Sequence, residues 1–139
     1  MTERPKLTMH VGERDHTQGG DSAKVTLVEY GDYQCPHCGH AYPIVKALQK
    51  YFGKTLKFVF RNFPIASIHP QAEIAAEAAE AAAAQGKFWE MHDAIYEHQA
   101  NLNEQSLVSL AEKLGLDTDQ LVRDLASVYE IAPTISAVI

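Results

Sequence analysis

Apolar and polar positions alternate in two short runs in the first half of the chain and recur at helical spacing beyond them. Val25-Thr26-Leu27-Val28-Glu29-Tyr30 is β-branched and apolar enough to predict a buried strand. Ala41 to Phe52 reads as a helix closed by Gly53. Pro43 within it deletes the hydrogen bond to the Gly39 carbonyl and predicts a kink, beyond which Ile44, Val45, Leu48 and Phe52 pack against a sheet. Thr55 to Phe63 predicts a second strand, with Leu56, Phe58 and Phe60 on one face and Lys57, Val59 and Arg61 on the other; Pro64 ends it. Joined through the helix, the two strands form a right-handed βαβ unit with parallel pairing.

Helical patterns follow. Pro70 opens a run from Gln71 to Gln85 that is largely alanine, with Glu73, Glu77 and Glu80 along one face, and Gly86 stops it. Its spacing and propensity predict a helix packed closely on its neighbours. Phe88, Met91, His92, Ile95 and Tyr96 form the apolar face of the next, where His92 reads as a core histidine and Trp89 as core or rim packing. Asn103 caps a helix with Leu107, Leu110, Ala111 and Leu114 inward, and Gly115 ends it. Asp117 caps another, with Leu121, Leu125 and Val128 inward. Ahead of all this, Met1 to Ala23 is polar and rich in turn formers: an arm draped over the sheet, with room for one short strand around Leu7 to Val11. Asp15-His16 there reads as turn-forming rather than as a catalytic pair.

A chain of 139 residues suits one domain with a sizeable core. Its formal charge of -6, with no basic run, argues against a nucleic-acid partner. The N-terminus does not read as a signal peptide, and no stretch approaches a membrane span. The expected compartment is the cytosol, where a pair of cysteines is more often catalytic than structural. A removed leader would place the chain in the periplasm instead.

The two cysteines are Cys35 and Cys38, at the junction between the first strand and its helix. A Cys-x-x-Cys pair there reads as a thioredoxin-like redox site. A thiol attacks a disulfide as the thiolate. At a helix start, the unpaired N–H groups of His37 and Cys38 can point at the Cys35 sulfur, and the helix dipole favours negative charge. Pro36 falls where a missing N–H costs nothing. His37 would tune the thiolate, and Cys38, one turn on, would resolve a mixed disulfide. Period-two alternation puts Glu29 on the face of Val25 and Leu27, where a carboxylate is costly unless paired or protonated; it is a candidate proton relay to Cys38. Two alternatives remain for the cysteines: zinc, recruiting His40 or a distant histidine, or inert buried thiols. For His40 itself a solvated position is expected.

Cys35-Pro36-His37-Cys38 resembles the active-site tetrapeptide of the DsbA family of thiol–disulfide oxidoreductases. Asp15-His16-x-x-Gly19, Val25 to Tyr30, Tyr33-x-Cys35-Pro36-His37-Cys38-Gly39, Arg61-Asn62-Phe63-Pro64 and Gln85-Gly86-Lys87-Phe88-Trp89-Glu90-Met91-His92 are similar to its cytoplasm-type branch. The likeness runs from about Asp15 to about Ser127. It implies an α/β, thioredoxin-like fold with an inserted helical domain, and an acid at the position of Glu29. Residues 1–139 then form a single domain: an arm (1–23), a βαβ unit (24–66), a helical insertion (67–129) and a tail (130–139).

The likeness fails at the C-terminal end. Family members continue with two antiparallel strands and a helix, beginning at a cis-proline loop, Gly-Thr-Pro-Thr, that faces the cysteines and helps bind substrate. Here Ala132-Pro133-Thr134-Ile135 is the nearest candidate and lacks the glycine. Either Thr134 to Ile139 forms a short strand with Pro133 as the cis-proline, or the C-terminal strands and helix are largely missing. An open edge on the active-site strand would then favour a homodimer. The expected function is thiol–disulfide exchange with protein or small-molecule substrates and a redox-recycling partner. It needs no cofactor beyond the cysteine pair. The rivals are an impaired DsbA-like fragment that binds or self-associates through its sheet edge, and a zinc-binding module.

Overall fold

A computed structural model describes residue 7 and residues 9–126. Its elements run β1 (His16–Gln18), β2 (Val25–Gly31), α1 (Pro36–Phe52), β3 (Leu56–Asn62), α2 (Ala72–Ala84), α3 (Phe88–Glu97), α4 (Glu104–Lys113) and α5 (Thr118–Ala126). β3 lies in the middle of the three-stranded sheet, antiparallel to β1 and parallel to β2. The expected parallel β2–α1–β3 unit is therefore present. Glu29 sits opposite Phe60 and Gly31 opposite Asn62. Residues 127–139, with Pro133, Thr134 to Ile139 and Val128, lie outside the described residues.

Being central, β3 is buried on both faces. Phe58 and Phe60 enter the main core with Phe88, Met91 and Ile95 of α3. α2 presents Ala75, Ala76, Ala78, Ala79, Ala81 and Ala82, all buried, so its small side chains let neighbouring helices approach closely. Asn103 Oδ1 accepts from the Ser106 N–H at 2.8 Å and Asp117 Oδ1 from that of Gln120 at 3.0 Å, capping α4 and α5 as their sequence predicts. Gly86 and Gly115, at φ 76° and 77°, follow α2 and α4 in the left-handed conformation that glycine adopts without strain. His92 is a core histidine. Burial lowers its pKa to about 3, and its Nδ1 shares a hydrogen bond of 2.9 Å with the Tyr33 hydroxyl. Trp89 is half-buried, donates to the Thr17 carbonyl at 3.2 Å and packs on Phe58 and Phe88.

Three expectations need correction. The arm's strand is His16–Gln18, and the described residues between Leu7 and Val11 form none. Long-range partners decide this. Arg61 grips Asp15 with two hydrogen bonds of 2.8 and 3.0 Å, and His16 Nε2 lies 2.9 Å from buried Glu80 while its ring stacks on Phe88. Asp15-His16 is thus more than a turn: it docks the arm across the sheet. Ile44 and Phe52 were expected against the sheet but are 60% and 48% exposed, because the described elements leave that side of α1 uncovered; Val45 and Leu48 are half-buried. α1 continues through Pro43 as one helix from Pro36 to Phe52.

Arg61, 5% exposed, also donates to the Met9 and His10 carbonyls and to the Tyr30 hydroxyl. Replacing it by alanine orphans Asp15 and should cost about 3–5 kcal/mol in urea unfolding. The Arg61 hydrogen bonds hold Asp15 below its ordinary 3.8. A depressed carboxylate stabilises the fold above its unfolded pKa, and that contribution disappears as pH falls through the folded value. The wild type should therefore lose stability below about pH 4 more steeply than Arg61→Ala in acid titrations followed by circular dichroism.

Candidate active site

β2 delivers the chain to the cysteines through Gly31, where there is no room for a side chain. A Cβ there would collide with the Phe60 ring and lie 2.9 Å from the Tyr96 hydroxyl. Next comes Asp32, 3% exposed, whose carboxylate has four donors. Oδ1 accepts from the N–H groups of Gln34 at 2.8 Å and Cys35 at 3.2 Å; Oδ2 accepts from Ile65 N–H at 2.9 Å and pairs with His69 Nδ1 at 2.8 Å. One side chain therefore shapes the turn and ties it to the loop after β3. From the helical side, Gln99 donates to the carbonyls of Tyr33 and Cys35 at 2.9 and 2.7 Å. Gly39 makes room for that amide, which a Cβ would strike. Gln71 completes the frame, its N–H on Gln34 Oε1 and its Oε1 on the Leu102 N–H.

Within this frame Cys35 is the N-cap of α1 and Pro36 occupies the first turn, as expected. The first-turn N–H groups, however, make no hydrogen bond to the Cys35 sulfur, which shares a side-chain hydrogen bond with the Cys38 thiol instead. Both cysteines are free and half-buried. Burial pushes the Cys38 thiol up to about 11; a hydrogen bond from the Asp32 backbone opposes this, while Cys35 and Glu29 reinforce it. Pro36, His37 and His40 are exposed, and no described residue bonds the His37 or His40 ring. Glu29 is raised to about 7 by burial alone and takes no hydrogen bond from a described residue. It lines a cavity of about 10 Å³ with Tyr42, Val45, Phe58, His92 and Tyr96. Among the described residues no group of three or more His, Cys, Asp or Glu side chains is placed to share a metal, so the zinc alternative finds no third ligand there.

The structure thus gathers Cys35, Cys38 and Glu29 and leaves His37 at the rim. Sequence reasoning missed Asp32, His69 and Gln99. For Asp32 a signal existed, an acid after glycine three residues before the N-cap. For Gln99 the only trace was a glycine directly after the second cysteine.

This arrangement defines a thioredoxin-like protein. A family model described as thioredoxin matches residues 12–136, and the chain belongs to that family, with its structural likeness to DsbA-like members. A thioredoxin-like oxidoreductase from Silicibacter pomeroyi DSS-3 is 34% identical with a TM-score of 0.77, covering 92% of this chain and 69% of that one. The thiol-disulfide exchange protein alpha-DsbA2 of Wolbachia pipientis shares the fold at 23% identity and a TM-score of 0.77, covering 89% and 66%. By sequence, the Na(+)/H(+) antiporter NhaA 1 of Salinispora arenicola is 48% identical over 114 residues, 82% of this chain and 17% of that protein. The chain spans under a fifth of the antiporter relatives it matches. No helix among the described residues is long and apolar enough to cross a membrane.

Two stability effects test the site's framework. Asp32→Ala leaves the N–H groups of Gln34 and Ile65 and the His69 ring without their acceptor, while the Cys35 N–H keeps the residue 32 carbonyl, and should lower unfolding free energy by about 2–4 kcal/mol. Glu29 works in the opposite direction. Its folded pKa of about 7 exceeds the ordinary 4.5, so between those values the unfolded chain ionises first and stability falls as pH rises. Solvent screening at this half-open strand end reduces the full shift to about 1–2 kcal/mol. Glu29→Gln should therefore stabilise the protein by that amount at pH 8 and leave it unchanged at pH 4, as read by paired denaturation curves.

Proposed function

We propose that this chain is a thiol–disulfide oxidoreductase that exchanges disulfides with protein or small-molecule thiols through Cys35 and Cys38. The DsbA-like fold supports such an activity in general. The observation that carries the particular reading is the asymmetry of the pair: Cys35 caps a helix start, while burial keeps Cys38 a thiol. The Cys35 thiolate attacks a substrate disulfide, forming a mixed disulfide and releasing one substrate thiolate. Cys38 then attacks the Cys35 sulfur, closing the internal disulfide and releasing the second thiolate. Two electrons pass from the cysteine pair to the substrate, and the reverse sequence returns them. A second dithiol or disulfide partner resets the pair. Glu29, with a pKa near neutrality, accepts the Cys38 proton before attack. His37, exposed beside the sulfur, tunes the thiolate electrostatically, and Pro36 fixes the first turn.

The test separates the two cysteines. Cys38→Ser should capture oxidised glutathione as a mixed disulfide at Cys35, and Cys35→Ser should react at least about tenfold more slowly at pH 7.5, because little Cys38 is ionised there. Equal rates would mean that the turn does not differentiate its thiols, and the proposed roles would fall.

A further inference from the structure

α3 and α4 run antiparallel, joined through residues 98–103 at one end and tied at the other by Lys87 Nζ, which donates to the Leu114 carbonyl at 2.7 Å. Among the described residues they border an open groove of about 630 Å³, within the size range of ligand sites. One wall is the stretch from Glu97 to Asn101. The other is a face of α4, where Gln105, Ser109 and Lys113 follow one another at four-residue spacing. Leu110, 5% exposed, is the most deeply buried residue of the lining. No described residue bonds the side chains of Gln105, Ser109 or Lys113. His98 Nδ1 donates to the Ala94 carbonyl at 2.8 Å, so Nε2 of the neutral ring is left as an acceptor. Donors and acceptors are thus spread along the groove.

Two contacts place one end of it at the redox turn. Gln99, between the lining residues His98 and Ala100, donates to the Tyr33 and Cys35 carbonyls at 2.9 and 2.7 Å. Glu97 Oε1 accepts from the Tyr42 hydroxyl at 3.2 Å, and Tyr42 stands one helical turn beyond Cys38 on α1. Lys113 ends α4 on the far side, about 12 Å along the helix axis from Gln105. A carboxylate therefore marks the end near the sulfurs and an ammonium the end away from them.

We propose that this groove binds the chain flanking the reacting cysteine of a protein substrate, as an extended segment with a basic side chain near that cysteine and an acidic one about three or four residues further out. The proposal rests on the thiol–disulfide reading and narrows its substrates to one class. The backbone amides of the segment meet His98, Asn101, Gln105 and Ser109, and these contacts are independent of its sequence. Glu97 and Lys113 supply the preference, each facing a charge of opposite sign. A segment seated there holds its disulfide at Cys35. The Cys35 thiolate forms an S–S bond to the substrate sulfur, and the other substrate sulfur leaves as a thiolate with the electron pair of the broken bond.

The experiment follows capture of symmetrical peptide disulfides by the Cys38→Ser chain at pH 8 and low salt. One peptide carries lysines beside its cysteine and glutamates further out on both sides; the second exchanges the two charges. Each rate is divided by the same variant's rate with oxidised glutathione, which cancels changes in Cys35 itself. The first peptide should react about five- to tenfold faster than the second, and high salt should erase most of the difference. Adding Glu97→Lys with Lys113→Glu should invert the ratio, which the peptides' own thiol reactivity cannot do. Ser109→Trp, at an exposed position of α4, should slow both peptides roughly fivefold relative to glutathione, the equivalent of about one lost hydrogen bond. The same peptide ratio before and after the charge exchange, or full peptide rates in Ser109→Trp, overturns the groove while leaving the exchange reading intact. So does a chain that sediments as a dimer and becomes a monomer with Ser109→Trp, since a second copy would then fill the groove. Failure of Cys38→Ser to capture glutathione at Cys35 overturns the exchange reading, and the groove with it.

Discussion

A buried carboxylate costs several kcal/mol unless its lone pairs are filled, and at Asp32 the four donors come from two separate stretches of chain. Gln34 and Cys35 belong to the turn itself, while Ile65 and His69 lie in the loop after β3. The full donor set of Asp32 is therefore complete only where β3 pairs with β2 and its following loop comes round. An isolated strand-to-helix segment would lack the Ile65 and His69 donors. Gln99 and Gln71 make the same demand from the helical side, since their partners are backbone atoms of the turn and of the α3–α4 connection. The turn is held by contacts from both the sheet side and the helical side of the fold.

This frame sets the surroundings of Cys38. Cys38 is pressed toward the core side, where burial penalises its thiolate, and the partly buried carboxylate of Glu29 adds to the penalty. Glu29 in turn has no hydrogen-bond partner among the described residues that would offset its burial. A fold selected for stability alone would place an apolar residue there, beside Leu27 on the same face. The cost falls at one end of β2, where the charge of Glu29 acts on the Cys38 thiol, and perturbed acids of this kind cluster at functional sites.

Much of this was legible in the sequence. The parallel β2–α1–β3 unit followed from two apolar runs and a helical pattern between them, and the α4 and α5 caps from Asn103 and Asp117, because these signals act over a few residues. The cysteine pair and the odd placement of Glu29 were equally local. The misses share one cause: each depends on partners far along the chain. The arm's strand fell at His16–Gln18 because Arg61 and Glu80, 46 and 64 residues on, offered partners for Asp15 and His16. The exposure of Ile44 and Phe52 could not be foreseen, since helical periodicity marks an apolar face without saying what covers it.

Gly31 and Gly39 join these levels. Each sits where another side chain approaches the redox turn too closely for a Cβ: the Phe60 ring and Tyr96 hydroxyl at Gly31, the Gln99 amide at Gly39. One glycine lets the core aromatics lie directly beneath the chain between Glu29 and Asp32. The other lets the helical half grip the carbonyls of Tyr33 and Cys35. A side chain at either position would push apart the surfaces that set the geometry of the two sulfurs. The short motif carries the two sulfurs, and the absence of two methyl groups beside it lets the rest of the fold reach the turn that holds them.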